Sequence, residues 1–233
     1  MSARRISHAV SVASIVLAPV CGLVAAAATP ELVSSSTRAQ LVAIAHHQDR
    51  FYVYSLFILL SSLFFVPAIA GVARLMPESR PAWTEVAYVI TQVSMLVALG
   101  DAATEMVWWQ AASPDASLSQ MTALSDRLDG APGYGLVYSV GGLCGVIGTA
   151  LLAAALIRTR TAPAWAAFAL PVGFVVNIVG FSIPSHAMLV ASYVVLTAGL
   201  VRLATLQRAP EPGGLEQMTG SPVAAELGGQ SAG

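Results

Sequence analysis

The chain contains no lysine, and charged residues of any kind are scarce. Of its 233 residues, 10% are charged and 56% are hydrophobic, and the mean hydropathy is +0.73. Soluble domains carry about 25% charged residues, so this composition excludes a soluble domain and predicts residence in a lipid bilayer. The net charge of −1 and the scattered arginines leave no basic surface for a phosphate backbone, and we expect no nucleic-acid partner.

Reactive motifs are also lacking. The two cysteines, Cys21 and Cys144, lie in different apolar stretches without CxxC spacing, which favours small core residues over redox or metal groups. There is no GxxxxGK, GxSxG or HExxH motif, so nucleotide hydrolysis, serine-hydrolase and zincin chemistry have no support. We expect no cofactor.

Long apolar stretches are what the sequence does contain. Six of them have roughly the 20 residues that a helix needs to cross a bilayer. They predict an all-α, polytopic integral membrane protein with six transmembrane helices in one bundle. The predicted spans are residues 8–28, 51–75, 83–110, 133–157, 166–183 and 187–206.

The connecting segments are polar. Residues 1–7 form a predicted cytoplasmic N-terminus, and residues 207–233 a disordered cytoplasmic tail rich in Pro, Gly, Glu and Ser. The first span also resembles a cleavable secretion signal, but its apolar stretch exceeds the usual 7 to 15 residues, which favours a retained helix. Before the second span we expect an interfacial helix capped by Ser36 or Thr37. Residues 113–132 contain no apolar run and read as a polar connection.

The arginines predict the orientation. Arginines near span ends stay on the cytoplasmic side, and in the six-span arrangement eight of them share one side. Both termini are therefore predicted inside, in a multi-pass protein of the bacterial inner membrane. The inner set is Arg4, Arg5, Arg74, Arg80, Arg158, Arg160, Arg202 and Arg208, and the outer set is Arg38, Arg50 and Arg127.

The third span carries two acids, Asp101 and Glu105, one helical turn apart. An Asp at the centre of a span costs roughly 2.5 to 3.5 kcal/mol on insertion scales, so we expect both acids to face a protein interior. They share a helix face with small or polar residues, and Trp108 and Trp109 mark the outer interface. Tyr54, Tyr138 and His186 are predicted at similar outer depth on other helices, with His46 and His47 just above. That face comprises Tyr88, Thr91, Ser94, Ala98, Asp101, Glu105 and Trp108.

Three interpretations of this outer cluster stay open. In the first, Asp101 and Glu105 are an acid/base pair, with Tyr138 and His186 as partners, in an isomerase or cyclase acting on a lipid, isoprenoid or other apolar substrate. In the second, the acids move protons or bind a solute in a transporter or accessory subunit. In the third, they lie near the interface and only orient the helix. We place a non-catalytic membrane component or handler of small solutes or lipids first, and the enzyme second.

A metal site has weak support. His46 and His47 are adjacent, so their imidazoles diverge by about 100° on a helix and cannot both reach one ion unaided. The combination to consider is His46 or His47 with Glu105 and His186. We predict no metal.

Small residues recur every four positions along the fourth span, at Gly141, Gly145, Thr149 and Ala153. Such a face lets two helices approach closely in lipid. It predicts either a central position for this helix in the bundle or a homodimer through Gly141, Gly145 and Thr149.

Two stretches carry a resemblance to known proteins: HHQDRFYVYSLFILLSSLFFVPAIAGVARL at residues 46–75, and GYGLVYSVGGLCGVIGTALLAAALIRTRTAPAWAAF at residues 133–168, with its Arg-x-Arg-x-x-Pro connection. With the six-span layout, they are similar to a broad group of uncharacterised actinobacterial membrane proteins that includes the family called DUF4386. The resemblance covers most of residues 8–206. It implies a six-helix fold and supplies no catalytic residues.

Overall fold

The computed structural model describes residues 3–30, 36–77 and 81–207, with side chains from His8 onward. Within these residues the chain forms eight α-helices. They are α1 (Ala3–Ala28), α2 (Thr37–His46), α3 (Gln48–Ala73), α4 (Ala82–Ala111), α5 (Leu118–Asp129), α6 (Pro132–Arg158), α7 (Ala164–Ser182) and α8 (His186–Leu206).

Six of these helices, all but α2 and α5, are long and apolar enough to cross a membrane. The predicted all-helical class and the six spans are confirmed, and the chain has the architecture of a multi-pass membrane protein. The apolar stretches become helices because a segment without water must satisfy its backbone hydrogen bonds internally.

The short helix α2 precedes α3 as the sequence predicts. Ser36 caps it, since its Oγ accepts a hydrogen bond from the Ala39 backbone N–H at 3.2 Å. His47 interrupts the helical path between α2 and α3, with φ −128° and ψ 38°. The interruption keeps α3 at a length that matches a bilayer.

Helix α5 was not predicted, because residues 113–132 contain no apolar run. Its apolar residues instead recur every three or four positions, at Leu118, Met121, Leu124 and Leu128, which makes a short amphipathic helix. The Thr37 hydroxyl donates a hydrogen bond to Asp126 Oδ1 at 2.6 Å and so joins α2 to α5.

The six long helices form a closed ring. Each packs on its neighbours in chain order, and α8 closes the ring on α1. Successive long helices run antiparallel, so both ends of the described chain meet on one side. We call that side the inner end, after the predicted orientation, and the side that carries α2 and α5 the outer end.

Packing differs between the two halves of the ring. Most of the fully buried large side chains lie toward the inner end, because Leu, Ile and Val there interdigitate across the ring. The outer half instead encloses a cavity. The inner residues include Ile69, Val72, Leu152, Leu156, Leu170, Leu200 and Leu203.

The small-residue face of α6 packs on α4 and α7 of the same chain. A Cβ built on Gly145 would lie 2.6 Å from Ser94 Oγ and 3.3 Å from the Phe174 ring. One built on Gly148 would lie 2.8 Å from the Thr91 backbone nitrogen. Gly141, Gly145 and Thr149 are thus buried within the single chain, as the first alternative expects. The homodimer stays a prediction.

Some predictions fall outside the described part of the chain. These are the disorder predicted for the tail beyond Gln207 and the side-chain positions of Arg4, Arg5, Arg80 and Arg208.

Candidate functional site

A cavity of about 110 Å³ lies in the outer half of the ring, between α3, α4, α7 and α8. Apolar side chains form most of its wall, among them Ile58, Phe65 and Met95. Five side chains able to hydrogen-bond gather at one end: Tyr54, Asp101, Glu105, Asn177 and Tyr193. We call this space the central cavity. It has room for a small polar group or a few water molecules.

Glu105 ties α4 to α3 inside the central cavity. Its Oε1 accepts a hydrogen bond from the Tyr54 hydroxyl at 3.3 Å, and its backbone carbonyl accepts one from Ser55 Oγ at 3.4 Å. Tyr54 is only 4% exposed, whereas Glu105 is half-buried. The Tyr54 hydroxyl therefore holds the Glu105 carboxylate toward the cavity.

The opposite wall comes from α7 and α8. The Asn177 side-chain nitrogen donates to Ser192 Oγ at 3.2 Å, and Ser192 donates in turn to the Leu189 carbonyl at 2.7 Å. Asn177 also lies beside the Tyr193 side chain, which is 8% exposed and lines the same cavity. This chain of bonds fixes the polar groups that face Asp101 and Glu105 across the cavity.

A second, larger space of about 720 Å³ lies between α4, α6 and α7. Its rim carries exposed apolar side chains, including Leu143, which is 63% exposed, and Phe181, which is 43% exposed. We call it the lateral groove, because it opens on the perimeter of the ring, where a transmembrane bundle meets lipid. Its volume falls in the range typical of small-molecule sites, about 300 to 1,000 Å³.

Asp101 stands where the two spaces meet. It lines both of them, and its carboxylate interacts with the Tyr138 side chain on the groove side. The two spaces share one wall, so the lateral groove lies directly beside the central cavity that holds the Tyr54–Glu105 pair. That wall consists of Ala98, Asp101, Phe174, Asn177 and Phe181.

The expectation that both acids face a protein interior needs correction, because Asp101 is exposed and Glu105 is only half-buried. The cause is the packing of α6. It lies tightly on α4 at Gly141, Gly145 and Gly148, whereas a Cβ built on Gly133 or Gly135, nearer its outer end, would meet no atom within 4 Å. The outer half of α6 therefore leaves Asp101 uncovered at the groove.

The predicted partners divide into two sets. Tyr138 interacts with Asp101 at the lateral groove. His186 is exposed at the start of α8 and lines neither space, and His46 and His47 are exposed at the junction of α2 and α3. Among the described residues, no group of three or more His, Cys, Asp or Glu side chains could hold a metal ion. The imidazoles thus do not converge on the acids.

Two residues of the cavity, Asn177 and Tyr193, were not among the predicted site residues. Each is a polar side chain within an otherwise apolar span, and such residues usually face a bundle interior. That signal was present in the sequence. The sequence did not indicate the order of the six long helices around the ring, which places α7 and α8 opposite α3 and α4.

The ionisable groups of the site are acidic. Asp101 and Glu105 line the central cavity, and no arginine or histidine is among the described residues that line either space. The remaining polar groups are hydroxyls and one amide. Such a lining can accept hydrogen bonds, hold a cation or exchange a proton, and it repels an anion.

Comparisons of this chain with protein-family models, curated proteins and solved structures give no match. The resemblance to the actinobacterial membrane proteins stays a prediction.

Proposed function

We propose that this chain binds an amphiphilic small molecule or lipid that enters sideways from the bilayer. The apolar body of the ligand occupies the lateral groove, and its polar head reaches the central cavity. The observation that carries the proposal is the position of Asp101, which lines both spaces. A carboxyl group at that junction meets the head of any molecule whose apolar part lies in the groove.

The lining selects the chemistry of the head. Asp101 and Glu105 accept hydrogen bonds, and the described residues around them offer no positive charge to an anionic group. Burying an anion beside carboxylates is unfavourable, whereas an ammonium forms charge-assisted hydrogen bonds with them. The ligand we propose therefore has a cationic or hydroxyl head. This makes the protein a handler of lipids or small solutes.

We further infer that the chain resides in a bacterial inner membrane with both termini in the cytoplasm. Among the described residues, Arg74, Arg158, Arg160 and Arg202 lie at the inner end. Arg38, Arg50 and Arg127 lie at the outer end, so the positive-inside rule supports this orientation. The lateral groove then faces the outer leaflet.

A binding comparison with three amphiphiles of equal tail length tests the proposal. The purified protein is incubated with tritiated dodecylammonium, dodecanol or dodecyl phosphate, and retention is measured for the wild type, Asp101→Asn and Glu85→Gln. Glu85 is a matched control, because it is an exposed acid on the same helix about 24 Å away at 1.5 Å per residue.

We expect dodecylammonium to bind best, dodecyl phosphate to bind least, and Asp101→Asn to weaken ammonium binding about tenfold or more. Glu85→Gln should leave binding unchanged. Equal binding of the phosphate and the ammonium, or an Asp101→Asn variant that binds like the wild type, would refute the proposal.

The second candidate is a membrane-embedded acid/base enzyme of the isomerase or cyclase type. The hydrogen bond from Tyr54 to Glu105 favours it, because it places a proton donor and an acceptor together in the cavity. Mass spectrometry of lipids incubated with wild type and with Glu105→Gln separates the two functions. A product that forms only with the wild type indicates catalysis, and bound but unaltered lipid indicates binding alone.

A further inference from the structure

A polar pocket lies at the inner end of the ring, far from the central cavity. It measures about 710 Å³ and is formed by the ends of α1, α3 and α8 and the connection from α6 to α7. Six of the eight residues that line it are polar, and none of these described residues is acidic. The lining consists of His8, Arg74, Leu75, Arg160, Thr161, Thr205, Leu206 and Gln207.

Arg160 occupies an unusual backbone position in this pocket. It follows the C-cap of α6 and has a φ of 54°, the one positive φ of a non-glycine residue in the described chain. The Arg160 N–H donates to the Ile157 carbonyl at 3.0 Å, and the Thr161 N–H donates to the Leu156 carbonyl at 3.1 Å. This pair of bonds is the Schellman motif, in which glycine normally takes the left-handed position. The chain therefore keeps an arginine where glycine would avoid backbone strain.

Threonine hydroxyls hold this connection in place. Thr159 Oγ1 donates to the Ala155 carbonyl at 2.8 Å and lies 3.0 Å from Thr161 Oγ1. The Arg160 side chain is thereby presented from a fixed backbone.

The Gln207 side chain, which lines the pocket, closes its wall on α3. The Gln207 Nε2 atom is buried and has no hydrogen-bond partner among the described residues. This nitrogen lies 3.0 Å from the position of a Cβ built on Gly71, so the Gln207 side chain packs against α3 behind the pocket wall.

From these observations we propose that the inner pocket binds a phosphate ester through Arg74 and Arg160. Guanidinium groups match the oxygens of a phosphate, and the His8 imidazole and the Thr161 and Thr205 hydroxyls line the same pocket. The phosphate belongs either to the head group of an inner-leaflet phospholipid or to a soluble phosphorylated molecule. The site is independent of the amphiphile site, which repels anions.

Arg160→Gly is the deciding variant. It removes the charge and places the preferred residue in the Schellman position, so α6 should end as before. Arg74→Gln removes the second guanidinium. Arg158→Gln is the matched control, because Arg158 is exposed two residues earlier at the same end but does not line the pocket.

Two arms separate the sources of phosphate. In the first, native mass spectrometry counts phosphatidylglycerol retained by each variant after purification from membranes. In the second, isothermal titration measures binding of inorganic phosphate to protein stripped of lipid in a maltoside micelle. We expect Arg160→Gly and Arg74→Gln to weaken binding about tenfold or more in at least one arm, while Arg158→Gln binds like the wild type.

Retention in the first arm alone assigns the site to a lipid head group, and binding in the second assigns it to soluble phosphate. The proposal is overturned if the wild type binds in neither arm. It is also overturned if Arg158→Gln weakens binding as much as Arg160→Gly, since general attraction to a positive end would then explain the result.

Discussion

Replacing Gly148 by alanine tests how closely α6 must approach α4. A Cβ at Gly148 would lie 2.8 Å from the Thr91 backbone nitrogen and 3.0 Å from the Thr91 Cα. These are backbone atoms, which cannot turn aside as a side chain can. The two helices would therefore have to separate, and the close contacts at Gly141 and Gly145 on the same seam would loosen with them.

The magnitude follows from two opposing effects. Overpacking a tight contact costs about 1–3 kcal/mol. Alanine is also favoured over glycine within a helix by up to about 1 kcal/mol. Gly100→Ala on α4 isolates the second effect, because a Cβ at Gly100 would meet no atom within 4 Å. The difference between the two variants is then the packing cost alone, about 1–3 kcal/mol.

Thermal unfolding in detergent, followed by far-ultraviolet circular dichroism, measures this difference. For a chain of about this length each kcal/mol shifts the Tm by about 2–4 °C, so Gly148→Ala should melt about 2–12 °C below Gly100→Ala. Equal Tm values for the two variants would show that α6 does not depend on close approach to α4.

Two further predictions concern hydrogen bonds between helices. Ser61→Ala removes a hydrogen bond of 2.7 Å from the buried Ser61 hydroxyl on α3 to the Ala18 carbonyl on α1, and chemical unfolding should show a free energy of unfolding lower by about 0.6 to 1.7 kcal/mol. Ser119→Ala, at an exposed position, is the control, and equal stability of the two variants would contradict the prediction. Thr37→Val removes the hydrogen bond to Asp126 and should speed tryptic cleavage after Arg127 on α5 about two- to tenfold, whereas Thr122→Val, which removes a hydroxyl that bonds within α5, should leave the rate unchanged. Unchanged cleavage of Thr37→Val would show that this bond does not hold α5 in place.

The six spans could be predicted from the sequence because a transmembrane helix is defined by the residues of its own segment. Twenty apolar residues satisfy their own backbone hydrogen bonds, so length and hydropathy alone define the element. The Ser36 cap and the interruption at His47 are local in the same sense. Helix α5 was missed because the sequence indicates it only by a weak periodicity of apolar residues over twelve positions and not by an apolar run.

Only part of the candidate site could be predicted from the sequence, namely its two acids. Asp101 and Glu105 stand out because acids are expensive in a span, and their helical spacing places them on one face. Their partners depend on which helices become neighbours. Asn177 and Tyr193 reach the acids only because the ring places α7 and α8 across from α3 and α4, while His186 is carried to an exposed helix start.

The sequence by itself therefore determined that this chain is a bundle of six apolar helices, and that its third span carries two acids on one face. Hydrophobic length and helical periodicity act within a single segment. Only the tertiary structure decided that α6 packs tightly on α4 from Gly141 to Gly148 and leaves Asp101 open to a groove nearer the outer end. That outcome depends on contacts between residues distant in the chain, such as Gly148 with Thr91, which no local pattern specifies.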